Sequence, residues 1–600
     1  MASEVTKYSV YDPRVIQTKP KYAVEKGALS ITNVSFNAQT ANQSSQQFNV
    51  IVPSENVFID RAVDWVSGGV ASILVTYSAS GTAGDSGNAI FGPGELATAA
   101  FPSHQCVAQM TATINDATVT VNTQDVLNQV LRLQDLAAHR KQRTCPTMLD
   151  LYGYAPPATN INAAFAGLYE NSPMNGYGAR FESDQAPNGA WAQWYFCDSS
   201  GVPLTTNGGL PVSTTGATDT VYVRWQSTEK LLLPPFIFGD AFELSTGLFG
   251  VQNFQVQMNM LPNPSRAIRV SAGVIGKAVG ARIISSIGLP QWVTSGLTGS
   301  TFAPYPFQPA LSVQFMTPAL DVPLPPKSIV PYMEFPRYIT TGLSSVPSTL
   351  GVAPNAKGIT TGSVVLASNT ITLPNIPDLL MIYVKPPTAG ATIFGTGTGT
   401  AGAPYAFGTS TTAGGSTWDS TISDFTLPIE GISINFDNFS GLLANHTQYQ
   451  LYKMSINNGL DMDFNSWSGE GRQASTTGTG TGTNSGIYTS LVGGPLVLRP
   501  GRDFALQAGQ APGLVGNFTL QFQLTVGNQF KTPIQGLNLY VVPISSGFFE
   551  TIKGSSRIIK GVLTEQDILS SPAHAPEPDL ERMVGAGRRK HQKGPMNDYM

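Results

Sequence analysis

At 600 residues the chain is too long for one ordinary globular domain, so at least two packed units are expected, and a small scaffold stapled by crosslinks is excluded. Only 12% of the residues are charged, about half the usual quarter, which excludes charge-driven disorder, and a net charge of −4 gives no whole-molecule attraction to nucleic acid or anionic membrane. A surface so poor in ions suits contacts with copies of itself, and 61 Gly with 43 Pro announce many turns.

From the N-terminus, strands are predicted at 46–52 and 71–77. Ala112-Thr-Ile114 and Ala117-Thr-Val-Thr-Val121 flank Asn115-Asp116, two residues that tolerate positive φ and so make a tight hairpin. A helix is predicted from Thr123 to Arg143, with Val126, Leu127, Val130, Leu131, Leu133 and Ala137 on one side and Asn122 or Thr123 as the cap. A long insertion follows at about 146–215, rich in Asn, Gly, Tyr and Trp, and then strands at 220–225, 310–316, 379–385, 431–436 and 537–542. The cleanest signals are Phe254-Gln-Val-Gln-Met-Asn-Met260 and Phe518-Thr-Leu-Gln-Phe-Gln-Leu-Thr-Val526, where apolar and polar residues alternate as a strand with one buried face requires. Short helices are predicted at 447–456 and at Thr564–Leu569, the latter opened by Thr564 with Asp567 three residues on. The Gly/Thr tracts 395–415 and 475–483 bury too little to offset their ordering entropy and are read as surface loops. The balance is all-β with helical inserts.

The two clean strands start 264 residues apart, and each follows a glycine-bounded apolar tetrad, Gly247-Leu-Phe-Gly250 and Gly513-Leu-Val-Gly516. A duplicated sandwich produces such an echo.

Catalytic chemistry finds no foothold. The histidines 104, 139, 446, 574 and 591 are scattered singly without metal-binding spacing. The nearest approach to a phosphate loop, Gly276-Lys277, has Ala278 in place of Ser or Thr and Ser271 in place of the opening Gly. Asp461-Met-Asp463 and Asp437-Asn438 lack the later ligands and glycine of a calcium hand and are read as strand ends. Cys106, Cys145 and Cys197 are odd in number and widely spaced, giving neither a disulfide framework nor a zinc site. No cofactor is expected. The start Met1-Ala-Ser-Glu-Val-Thr-Lys has no apolar stretch after its charges, and no run of about 18 apolar residues occurs, so a soluble chain retained in its cell is expected. The basic run His139–Arg143 ends the best helix. A second, Arg588, Arg589 and Lys590 with Lys593, lies in the last 14 residues after a Pro-rich stretch and reads as a mobile tail.

Several segments together resemble the double jelly-roll major capsid proteins of polinton-like viruses, virophages and their adenovirus-related kin. They begin with Leu233-Pro-Pro-Phe-Ile-Phe-Gly-Asp240, Gly247–Phe254 and Ser265-Arg266, and continue through Pro323–Tyr338. Asn369–Asp378 with Met381-Ile-Tyr-Val384, and Ile432–Phe436 with Ser440-Gly-Leu-Leu443, are similar to family strand pairs. The last block is the most specific: Gly513-Leu-Val-Gly516, the alternating strand, Leu539-Tyr-Val-Val542, Gly554-Ser-Ser-Arg557 and Gly561–Leu569.

The resemblance implies two tandem eight-stranded antiparallel jelly-roll sandwiches with long loop insertions and few short helices. The expected division is an N-terminal arm at 1–27, a first jelly roll at 28–304 and a second at 305–550 with loops at 387–417 and 471–486. A C-terminal segment with the basic tail follows at 551–600. It further implies a homotrimer that acts as a nearly hexagonal tile, neighbouring capsomers, penton and minor capsid proteins as partners, a place in the virion, and assembly in host nucleus or cytoplasm. Met583-Val-Gly-Ala586 followed by Gly587 looks like a substrate of the adenovirus-type maturation protease, and cleavage there releases the basic tail, whose contact with packaged DNA would be weak. Leu491-Val-Gly-Gly494 fits a related pattern but precedes Pro495. The alternative is a β-rich glycan-binding or adhesin-like protein in which the aromatic run Trp191–Phe196 stacks on sugar rings, although core or interface packing explains such a run more simply.

Overall fold

Alternating strands can hide their apolar sides only by closing sheet on sheet, and the chain does this twice. The structure, a computed structural model, describes residues 30–78, 89–91, 96–98, 101–133, 191–213, 217–237, 247–270, 278–279, 282–288, 290–293, 308–318, 326–346, 362–385, 406–412, 415–421, 426–468, 472–475, 486–489, 493–528 and 536–561.

The first sandwich sets a nine-stranded sheet, ordered Ser30–Asn37, Ala310–Thr317, Asp64–Ser78, Thr218–Lys230, Trp191–Cys197 along its main path, against a five-stranded one. In the latter, Asn253–Met260 lies between Ser45–Ile51 and Val107–Ile114, with Thr40–Ala41 and Ala117–Val121 at the edges. The apolar half of the alternation, including Phe254, Val256 and Met258, is buried, and Phe254 stacks on Phe236 at 5.1 Å. Trp65 is fully buried between the sheets with its ring edge-on to His104 at 4.9 Å. Glu229 closes the turn Pro102–Gln105 by accepting from Ser103 N–H (2.8 Å), His104 N–H (3.1 Å) and the Ser227 hydroxyl (2.6 Å), with His104 Nδ1 at 2.5 Å. So many donors are what a carboxylate needs to be buried without loss.

The second sandwich repeats the plan. A six-stranded sheet is built on the long strand Leu537–Ile552, flanked by Ser328–Glu334, Leu379–Lys385, Tyr338–Leu343 and Ser555–Lys560. Opposite it, Val515–Asn528 lies between Ile429–Phe436 on one side and Gly362–Ala367 with Ile371–Asn375 on the other. The two strands with the clean alternation are therefore central in equivalent sheets, while the tetrads before them differ: the left-handed glycine is the last of the first tetrad, Gly250 at φ 76°, and the first of the second, Gly513 at φ 90°. Strand numbers exceed eight per sandwich because further strands, such as Arg282–Ile287 and Gln291–Trp292, pair along the long Asp64–Ser78.

Strand pairing crosses two of the expected divisions. Ala310–Thr317, placed beyond the 304/305 boundary, pairs along its whole length with Ser30–Asn37, and Ser555–Lys560, placed in the C-terminal segment, pairs with the long strand. Trp191–Cys197, read as part of an insertion, is an edge strand on Thr218–Lys230. The Gly/Thr tracts, read as loops, are strand in part: the first contains Ala406–Thr412, paired with Gly415–Thr421, and the second begins at the end of Arg472–Ser475, paired with Gly486–Thr489.

The helix expected at 123–143 is α-helical over Thr123–Val130 and tightens to a 3₁₀ turn at Leu131–Leu133. Asn122 holds the cap position without a side-chain bond. The helix at Gln448–Asn457 opens with a reciprocal capping box between Thr447 and Gln450. His139–Arg143, Cys145, Thr564–Leu569, Met583–Gly587 and the tail lie outside the described residues.

Candidate functional site

With no catalytic cluster to build on, the arrangement that fixes the molecule's shape is the seam between the two sandwiches. It starts at the hairpin the sequence announced: Ile114 pairs with Ala117 across Asn115-Asp116, and Asn115 takes φ 55°, a conformation an asparagine reaches at low cost. That projects the turn onto the hairpin at 553–556. The Asn115 amide donates to Ser556 Oγ (2.9 Å) and to the Gly250 carbonyl (3.1 Å). Its oxygen accepts from the N–H groups of Gln252 (2.8 Å) and Asn253 (3.3 Å). Asp116 accepts from Ser556 N–H (2.5 Å) and the Ser555 hydroxyl (3.0 Å). These bonds to the charged form hold the Asp116 carboxyl below the usual carboxylate range.

The same edge continues by backbone. Gly554 N–H donates to the Gly250 carbonyl at 2.8 Å, and Thr551 Oγ1 donates to the Phe249 carbonyl at 2.5 Å. Both glycines take a left-handed backbone, Gly250 at φ 76° and Gly554 at φ 86°, and at Gly250 a Cβ would also meet the backbone nitrogen of Lys553 at 3.0 Å. Beside this hairpin, Glu550 is held by Lys327 (2.7 Å) and Arg557 (2.6 Å), and these two partners lower its pKa.

A second set of contacts comes from the helix. Tyr383 OH donates to the Asp125 carbonyl at 2.7 Å, Arg337 pairs with the Asp125 carboxylate, and Asp461 N–H donates to the Arg132 carbonyl at 2.8 Å. Hairpin tip and helix thus each bind the second sandwich with directional bonds.

The residues read as possible ligands separate. Asp437 sits at a turn with φ 52° and accepts from Gln510. Among the described residues no three of His, Cys, Asp or Glu gather at metal-binding distance. Cys106 and Cys197 are buried thiols, and desolvation pushes Cys197 to about 12 and Cys106 upward. In Leu491–Gly494, the two glycines are buried. Sequence reasoning did not single out the seam pairs; Gly554-Ser-Ser-Arg557, Arg337 and Tyr383 did fall within the segments that carried the resemblance.

The profile of the Sputnik virophage major capsid protein first domain matches residues 3–306, and that of the major capsid protein V20 C-terminal domain matches 335–547. The chain is 24% identical to the putative capsid protein V20 of Sputnik virophage over 572 residues, 94% of this chain and 81% of that one. Its fold is similar to a chain of the Sputnik virophage particle determined by cryo-EM, with TM-score 0.64, 21% identity and 97% and 99% of the two chains covered. It is also similar to the crystal structure of the mavirus major capsid protein, with TM-score 0.60, 14% identity and 96% and 100% covered. The chain belongs to the virophage major capsid protein family, whose members are structural proteins of the virion and not enzymes.

Proposed function

We propose that three copies of this virophage-type major capsid chain close into a homotrimer whose six sandwiches make a pseudo-hexagonal capsomer, and that such capsomers tile an icosahedral shell. The observation that carries this reading is the seam. A chain that holds two similar sandwiches in one fixed relation presents six similar lobes on threefold rotation, and closed symmetry leaves no unpaired association edge. For this purpose residues 1–27 form an arm, the first sandwich runs to Thr317, the second starts at Ser328, and the segment after Lys560 leads to the tail. Neighbouring capsomers, pentons and minor capsid proteins are the partners, and no covalent chemistry is asked of the chain. We further assign Met583, Val584, Gly585, Ala586 and Gly587 as a maturation-protease site whose cleavage frees Arg588, Arg589, Lys590 and Lys593. Light scattering on the eluting recombinant protein, at micromolar concentration, is expected to give three 63.6 kDa chains; a stable monomer overturns the proposal.

A further inference from the structure

The alternation that built the core leaves its polar half unexplained. The five strands around Asn253–Met260 contain no Asp, Glu, Lys or Arg, and those around Val515–Asn528 contain only Glu430, at a bulge on the rim. The outward positions form rows across the strands. Gln47, Gln257, Thr111 and Thr120 make one, and Asn49, Gln255, Thr113 and Thr118 the next. On the second sandwich, Gln523 lies between Ala367 and Ser433, and Gln521 beside Asn435. A face that meets only water normally carries roughly 25–35% charged residues. The accessible charges sit elsewhere: Asp64 and Lys230 on the nine-stranded sheet, Arg557 and Lys560 on the six-stranded one. The same neutral faces hold Ile51, Val365 and Val515, which are 72%, 60% and 57% exposed.

We propose that these two uncharged faces are the surfaces through which one copy of the chain meets a second. Amide and hydroxyl groups each donate and accept, so such a face is complementary to a copy of itself or of its counterpart. A charged face would oppose like to like, and burying it would carry a far larger desolvation penalty. The exposed Ile and Val side chains add apolar area to the contact. This inference rests on the capsomer reading and deepens it by naming the faces.

The test places like charges on both faces at exposed positions, Gln255→Lys with Gln521→Lys, so that repulsion arises whichever faces meet. A control with Ser199→Lys and Val202→Lys matches the added charge at exposed loop positions. The double-face variant is expected to fold like the wild type by circular dichroism and to lose at least about tenfold of its assembled fraction by light scattering and electron microscopy, while the control assembles normally. Unimpaired assembly of the face variant overturns the inference. If it does not fold, maleimide labelling of Gln521→Cys decides: labelling at least about tenfold slower in assembled particles than in dissociated chains supports the contact, and equal rates refute it. A wild type that never assembles would instead refute the capsomer reading.

Discussion

The seam can be dissected with a cycle at Asn115 and Ser556. Asn115→Ala confounds two losses, because alanine at φ 55° adds strain of about 1–2 kcal/mol to the missing hydrogen bonds. Asn115→Gly removes the same amide while keeping the backbone relaxed. It forfeits four bonds, to Ser556 Oγ, Gly250 O and the Gln252 and Asn253 N–H groups. At the low end of about 0.5–1.5 kcal/mol each, since the site is partly wet, the expected loss is roughly 2–3 kcal/mol. Ser556→Ala deletes one hydroxyl and leaves its N–H on Asp116, for about 0.5–1 kcal/mol. Because the two residues share one bond, the double variant is expected to lose less than the sum by about 0.5–1 kcal/mol. Urea midpoints of the four proteins, read at one protein concentration with a common slope, give this coupling. Strict additivity within about 0.3 kcal/mol would show that the bond contributes nothing to holding the sandwiches together.

Acid is expected to loosen the same edge. The folded-state pKa values of Asp116 and Glu550 both lie below their ordinary values of 3.8 and 4.5, so their stabilisation is present above those values and lost as pH falls through the lowered ones. Melting temperature should drop steeply below about pH 4, and Asp116→Asn with Glu550→Gln should flatten that drop; an unchanged profile in the double variant would show that neither carboxylate contributes to the acid sensitivity. Gly493→Ala sets a Cβ 2.1 Å from the Thr426 carbonyl at φ 71°, whereas Gly342→Ala meets nothing within 4 Å at φ 69°. The first is expected to destabilise by ~2–4 kcal/mol and the second by ~1 kcal/mol, and equal urea midpoints would refute the steric reasoning. Intact-mass measurement of mature particles should find the chain ending at Ala586; retention of Met600 defeats the protease assignment, while a cut at Gly494 would contradict the burial of that glycine.

Where a strand has one wet and one dry face, its sequence declares it, and the 254 and 518 strands were legible to within three residues for that reason. Asp64–Ser78 was visible only over its second half. Gly68 and Gly69 interrupt the pattern, yet both are demanded by packing, since a Cβ on them would strike the Trp225 carbonyl at 2.2 Å and the Trp292 ring at 2.5 Å. Ser30–Asn37 escaped notice because most of its side chains are exposed, so no face is selected to be apolar. The seam was illegible in a different way. Asn115 and Ser556 lie 441 residues apart, one in a hairpin turn and one at the start of a strand, and neither stands out until the fold brings them together. Polar pairs of that kind carry no periodicity: turn chemistry marked the hairpin at 115–116 and the family resemblance marked Gly554–Arg557, but nothing in the sequence joined the two.

The polar character of the seam has a mechanical consequence. Two sandwiches joined by an apolar patch alone keep a range of relative angles at similar energy, because burial of area is non-directional. Here directional bonds arrive from two different elements, the 115–116 turn and the helix starting at Thr123, and a body held at two separate places cannot pivot about either. A building block whose lobes must match those of its neighbours requires that angle to be set before association, since any freedom left in it would have to be frozen at each contact. The family fold supplies the two lobes; the asparagine, aspartate and tyrosine at the seam fix how they stand.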